Sequence, residues 1–314
     1  MKFDRSAYSD DQLRSIYKEL LLPRLIEEKM LILLRQGKIA KWFSGIGQEA
    51  ISVGCGLALF MGASPAFAQT APASPPTSGG PVDPALIDDL VAANRIMAME
   101  GVLDGWGHIS VRHPKNPNRY FMSRNLAAEL VTRADIMEYD LDSVPVDRRG
   151  RDLYTERFIH GEILKARPDV NAVIHTHAPP LIPFAASKIP LRPMYHRAAF
   201  VAQGIPNFDI KDGFGITDML IRNSAHGAAL AKTLGDKPAT LMRSHGATVV
   251  APSLPRLVGR SVFLVKNATL QQQAIALGGP ISYLEDEEAK LIEAREGYGL
   301  ARAWEAWKRK VEIK

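Results

Sequence analysis

The residues of this chain best suited to chemistry are three histidines and a glutamate. His175 and His177 stand two apart in the run Asn-Ala-Val-Ile-His-Thr-His at residues 171–177. That run reads as a β-strand, in which residues two apart project from one face, so the two imidazoles share a side and Thr176 points away. Two imidazoles on one face can bind a borderline divalent metal such as zinc. His245 precedes Gly246, which permits a tight backbone turn directly after the histidine. Glu156 falls in the first turn of an expected helix, where the helix N-terminus favours the carboxylate. A carboxylate there could ligate the metal or move protons beside it. Taken singly, each residue has an ordinary reading: a strand H-x-H without metal, a packed histidine, a glutamate that complements a helix dipole.

Bringing these side chains together requires alternating helices and strands, and residues 81–300 read as such an α/β domain. Asp83-Pro84 starts a helix, with proline at its first position, expected to run to about Leu103. GHISVRHP and RYFMS read as short strands. Thr155 is positioned to cap a helix ending at Ala166, and Arg167-Pro168-Asp169 turns into a strand over 170–177. Thr217 is expected to open a further helix ending near Gly235. ATLMRSHGATVVA reads as two strands meeting at His245-Gly246, and a long helix follows from about Leu254 to Leu277. The tail, 301–314, reads as a helix whose Trp304 and Trp307 pack on the body or on a neighbouring subunit.

Taken together, the site residues resemble the class II aldolase/adducin family. Its pattern is a Glu nineteen residues before an H-x-H pair that follows R-P-D-x-N-A-V, then an H-G further on. Glu156, residues 167–173, His175, His177 and His245-Gly246 fit it in order and spacing, within a likeness extending over about 220 residues. The resemblance implies a three-layer αβα domain with a central mixed β-sheet. It implies one divalent metal per subunit, zinc or else manganese, held by His175, His177 and His245, with Glu156 as the acid/base that also touches the metal. Tyr195 and His196 lie where family aldolases place a proton-donating tyrosine contributed by a neighbouring subunit of a homotetramer. The implied chemistry is carbon–carbon lysis, in which a divalent metal spreads the charge of a carbanion as an enediolate or enolate.

Two loops depart from the family's sugar-phosphate members, which carry G-N-x-S-x-R and then T-P-x-G to hold phosphate. Here the first is Gly107-His108-Ile109-Ser110-Val111-Arg112, with His for Asn, and the second is Met122-Ser123-Arg124-Asn125, with no glycine. Glycine-rich loops suit phosphate because their N–H groups approach it closely. The candidate substrate-binding residues are therefore His108, Ser110, Arg112, Ser123 and Arg124, with His108 and the two arginines suited to a carboxylate. This variant resembles the branch that includes a decarboxylase of a hydroxypyridine dicarboxylate. The expected activity is an aldolase or decarboxylase acting on a small hydroxy- or keto-carboxylate. The alternatives are a sugar-phosphate aldolase and a metal-free, adducin-like binding module, against which retention of all four site residues speaks. His160, one turn after Glu156, reads as packing, with support of the site as the other reading. His113 and His226 read as surface residues.

The first eighty residues have a different character. Residues 1–53 read as a helical fragment, with Ser9 and Gln12 as a capping box, Pro23 as a kink and Gly37 as a stop. The stretch YKELLLPRLIEEKMLILLRQGKIAKWFSGIGQEAISVG resembles the N-terminus of the alpha subunit of branched-chain 2-oxo acid dehydrogenases. No GDG-type cofactor motif follows, so no thiamine diphosphate is expected. Residues 54–80 combine an apolar stretch, an A-x-A pattern at 66–68 and a Pro/Ser/Gly linker, like a secretory signal peptide. Three readings stand: a fusion to a secreted lyase, which the internal position favours; translation from Met30, with Arg35, Lys38 and Lys41 as the basic region; or a buried helix and linker. The lyase portion would be periplasmic or secreted if the segment functions and cytoplasmic otherwise.

Bulk composition narrows little else. The 314 residues are 46% hydrophobic and 23% charged, ordinary for a globular chain able to bury a sizeable core. A net charge of +5 is scattered along the sequence, which fits small anionic substrates and argues against nucleic-acid binding. The apolar run after residue 54 is too short and interrupted for stable membrane insertion. Cys55 is the single cysteine, so no intrachain disulfide forms.

Overall fold

The computed structural model describes residues 75–295 and 299–311, with scattered helical positions between Arg14 and Gln36. The chain divides into two units, Met1–Ser74 and Pro75–Lys314. In the first, the described positions from Arg14 to Arg35 are helical, and Tyr17 and Leu25 are exposed. Ser9, Gln12, Pro23, Gly37 and the A-x-A pattern lie outside the described residues.

The second unit is built on a seven-stranded mixed sheet. Its strands are β1 (His108–Arg112), β2 (Arg119–Ser123), β3 (Ile136–Asp140), β4 (Ala172–Thr176), β5 (Asn207–Phe208), β6 (Ala239–Met242) and β7 (Gly246–Ala251). They lie in the order β3-β2-β1-β4-β7-β6-β5, and only β5–β6 is a parallel pair. The longer helices are α1 (Pro84–Met99), α2 (Phe158–Ala166), α3 (Ser224–Leu234), α4 (Leu254–Leu277), α5 (Asp286–Glu293) and α6 (Leu300–Val311).

Strand alternation sorts the core into two. Ile109 and Val111 of β1 with Ala172 and Ile174 of β4 pack against α1, α4 and α6. Val173 of β4 with Tyr120 and Met122 of β2 packs against α2 and α3. Helices therefore cover both faces, giving the three-layer αβα domain. The same parity turns His108, Ser110 and His175 toward the α2–α3 side. Trp304 and Trp307 are buried on the body of this chain, and Trp307 Nε1 donates to Glu100 at 3.0 Å.

Local chemistry sets the element ends. Asp83 caps α1 by accepting from Ala85 N, with proline at N1, and Ser253 caps α4 by accepting from Arg256 N. α1 stops at Met99, short of Leu103, because the backbone reverses at Gly101 (φ 68°) and Val102 and Leu103 both donate back to Met97 O. Thr155 caps nothing: a 3-10 turn, Thr155–Arg157, precedes α2 without a side-chain cap. The helix expected from Thr217 begins at Ser224, capped by Asn223, which leaves 215–223 as a loop. β3, β5 and α5 had no counterpart in the sequence reading. The last linker residues are pinned to the sheet: Ser78 Oγ and Gly79 N donate to Glu138 at 2.7 and 2.6 Å, and Arg119 Nε donates to Thr77 O at 2.7 Å.

Candidate metal centre

β4 ends at the site. His175 is its fourth residue, paired with Thr248 of β7 on one side and His108 of β1 on the other, and His177 follows one residue past the strand. His245 sits in the tight turn between β6 and β7, where Ser244 takes a positive φ of 52°. Gly246 is required there by volume. A Cβ at that position would lie 2.0 Å from Thr176 O and 3.1 Å from His177 Cα, so only glycine lets the turn close onto the end of β4. Glu156 arrives from the 3-10 turn before α2.

These four side chains converge, with one ligand-type atom from each lying within 4.8 Å of the others. His175 Nε2 and His177 Nε2 are 3.0 Å apart, and Glu156 Oε2 is 3.5 Å from the Nε2 of both His175 and His245. Glu156 Oε1 accepts from Ile221 N at 2.9 Å. The 215–223 loop supplies that N–H, so a backbone donor outside the helix orients the carboxylate. Burial alone would raise the Glu156 pKa, but His175 and then His245 outweigh it and hold the group well below the usual carboxylate range. Burial lowers His175 to about 4 against the pull of Glu156, so its imidazole is neutral at physiological pH. Three imidazole nitrogens and one carboxylate oxygen facing a common point fit a divalent cation. Behind the ligand atoms, His177 Nδ1 lies 3.0 Å from Asp104 Oδ2, while Nδ1 of His175 and of His245 are buried without a partner among the described residues.

Beside this cluster stand His108 and Tyr154, their rings 4.5 Å apart, with His108 5.3 Å from the His175 ring. His108 Nδ1 is 2.6 Å from His160 Nε2, and His160 Nδ1 is 2.6 Å from Ser110 Oγ. His160 is thus bonded into the site and is more than packing. Ser123 Oγ is 3.4 Å from Tyr154 Oη, which also donates to Leu126 O. Arg124 follows Ser123 at the His108 end of β1 and pairs with Asp135 at 2.6 Å.

Arg112 departs from its expected place. It lies at the far end of β1 from His108, and its guanidinium donates to four backbone carbonyls: Val170, Pro117, Leu164 and Arg167. It ties α2 to the start of β4, so the two arginines do not converge. Tyr195 and His196 also stand apart from the cluster of their own chain. Tyr195 packs on Phe263 of α4, and His196 lines a cavity of about 210 Å³ with Arg197, Phe200 and Arg260. His113, expected at the surface, is buried: its ring stacks on Phe121 and its Nδ1 accepts from Lys115 N and Asn116 N. His226 is half-buried against Phe214.

Sequence reasoning did not single out Asp104, Tyr154 or the Ile221 N–H. Asp104 had a signal: its carboxylate accepts from Trp106 N and Gly107 N at 2.9 Å, the self-bonding turn that Asp-Gly sequences favour. Tyr154 and Ile221 meet their partners across 46 and 65 residues, which no local pattern records.

Comparison with known proteins agrees with this architecture. The family described as Class II Aldolase and Adducin N-terminal domain matches residues 88–272. The decarboxylase tropJ of Talaromyces stipitatus is 35% identical over 71% of this chain and 92% of its own length. A 3,4-dihydroxyphthalate decarboxylase of Arthrobacter keyseri is 29% identical over 68% of this chain and 89% of its own. An L-fuculose 1-phosphate aldolase from Glaciozyma antarctica PI12 superposes with a TM-score of 0.61 at 24% identity, covering 74% of this chain and 94% of that one.

Proposed function

Because the chain belongs to the class II aldolase and adducin family, in its decarboxylase-like branch, and is an enzyme of the lyase type, we propose that it is a divalent-metal-dependent decarboxylase of a small hydroxy-carboxylate. The observation that carries this reading is the convergence of Glu156, His175, His177 and His245 beside His108 in place of a glycine-rich phosphate loop. The three imidazoles would hold the metal through Nε2, and zinc suits them best, with manganese the other choice. Bound there, a divalent cation supplies positive charge against the electron pair left on carbon when the carboxylate departs.

The chain's own residues do the rest. Glu156, oriented by Ile221 N and beside the three imidazoles, would receive a proton from a substrate hydroxyl. Returning that proton to the carbon from which CO2 leaves balances the reaction. His108, whose ring lies against that of His175, and Arg124, which follows the neighbouring strand β2, would offer N–H donors to a substrate carboxylate. Only Nε of Arg124 is bonded to Asp135, which leaves its other edge for an anion. Tyr195 and His196 act, in this reading, on the neighbouring subunit of a homotetramer.

The test is CO2 release by the metal-loaded chain from 3,4-dihydroxyphthalate and a panel of hydroxyaromatic and 2-hydroxy acids, set against cleavage of fuculose 1-phosphate. Turnover of a carboxylate above the sugar phosphate supports the reading. A clear preference for the sugar phosphate returns the chain to the aldolase branch.

A further inference from the structure

Ser110, His160 and His108 form a hydrogen-bonded line on the α2 side of the sheet, each at most 1% exposed. His108 Nδ1 and His160 Nε2 face each other at 2.6 Å, so one of the two carries the shared proton and the other presents its lone pair. A neutral imidazole carries one N–H and one lone pair, and the line can be protonated in only two senses.

The hydroxyl decides between them. Ser110 Oγ has no hydrogen-bond partner among the described residues other than His160. A buried hydroxyl proton needs an acceptor. If Ser110 accepted from His160, its own proton would be stranded; if it donates to His160 Nδ1, the hydroxyl and both nitrogens of His160 are satisfied. His160 then carries its proton on Nε2 and donates it to His108 Nδ1, and His108 carries its proton on Nε2. That atom has no protein partner among the described residues and is not sealed off from solvent. The ring that bears it lies against His175 and Tyr154.

We propose that Ser110 and His160 are positioning residues that fix His108 as an Nε2–H donor at the edge of the cluster, and that this N–H binds a carboxylate oxygen of the substrate. The ligand class rests on the decarboxylase reading; the tautomer does not. A donor-only group selects an acceptor oxygen. The asparagine found at this position in sugar-phosphate members could present either a donor or an acceptor, so the histidine narrows the choice. Ser110 accordingly acts through His160 and touches no substrate.

The tautomer is measured directly by 15N NMR of the full-length chain labelled in histidine. His108 and His160 should both show a protonated Nε2 and a bare Nδ1; His108 protonated on Nδ1 would overturn the proposal without any variant being made. Ser110→Ala should give a mixture of tautomers and raise KM for 3,4-dihydroxyphthalate about tenfold with kcat within about twofold. Ser110→Cys, with its weaker donor, should fall between. An Ser110→Ala protein with wild-type tautomer and KM would also overturn it. Absence of turnover of any carboxylate by the wild-type chain would count against the decarboxylase reading alone, because the ring signals decide the relay independently.

Discussion

Asp104 stands behind His177, with its Oδ2 3.0 Å from Nδ1, on the side of the ring opposite the atom that faces His175. Burial alone would raise the Asp104 pKa, but the N–H groups of Trp106 and Gly107, and then His177, hold it below its ordinary value. The carboxylate therefore fixes a proton on Nδ1 and leaves the Nε2 lone pair for a metal, the arrangement that orients many metal-bound histidines. Asp104→Ala should weaken zinc affinity about 10- to 100-fold in competition with a chelator. Unchanged affinity would mean that the contact is only structural.

Removing a ligand should be more severe. His245→Ala should abolish stoichiometric metal and turnover together while the sheet remains folded, because Gly246 keeps the β6–β7 turn. Metal analysis of the purified variant, with far-UV circular dichroism as the folding control, checks this. Full occupancy would remove His245 from the ligand set.

Acid should unfold the domain through its buried histidines. The folded state lowers the His160 pKa to about 3, chiefly by burial and then by His175. Above about pH 6.5 the ring is neutral whether folded or not. Below that pH the unfolded chain takes up a proton that the folded chain refuses, so stability falls as pH drops toward 3. Between pH 7 and 5 the loss from His160 alone is about 2 kcal/mol. Denaturation midpoints at the two pH values should therefore differ less in His160→Gln than in wild type. An equal difference would show that His160 does not contribute.

The first 74 residues should be dispensable for catalysis. No candidate site residue lies there, and a chain beginning at Pro75 should keep its turnover per folded site. A chain beginning at Gly80 loses Thr77, Ser78 and Gly79, which bond to Arg119 and Glu138. Turnover should survive that loss, while the melting temperature should fall by a few degrees, for roughly 1–2 kcal/mol. A large loss of turnover in the Pro75 chain would mean that the N-terminal unit shapes the pocket.

Assembly can be tested in the same preparations. A homotetramer is expected by light scattering, with Tyr195→Phe lowering kcat about 10²-fold and leaving metal content unchanged, if the tyrosine donates a proton in a neighbour's site. A fully active monomer would refute this.

Much of the candidate site was legible because its spacing obeys strand geometry. The period of two put His175 and His177 on one face, and the glycine after His245 marked the turn that carries it. What could not be read came from contacts between distant segments. Arg112 has the charge of an anion-binding residue, yet its surroundings offer it four carbonyls. His113 has the polarity of a surface residue, yet backbone N–H groups satisfy it in the interior. Thr217 looked like a helix start, but Asn223 offered the cap that the backbone uses. In each case the side-chain type is plain in the sequence and the partner is not, because the partner is fixed by tertiary packing.

The dipeptide His245-Gly246 carries two unlike kinds of information. The histidine contributes an electron pair, and the glycine contributes empty space, since any Cβ at position 246 would intrude on Thr176 and His177. Loss of the first leaves an intact scaffold with a missing vertex. Loss of the second keeps every donor in the sequence and removes the means of assembling them. The motif is therefore half reagent and half clearance, and the clearance is the part that no inventory of reactive groups would count.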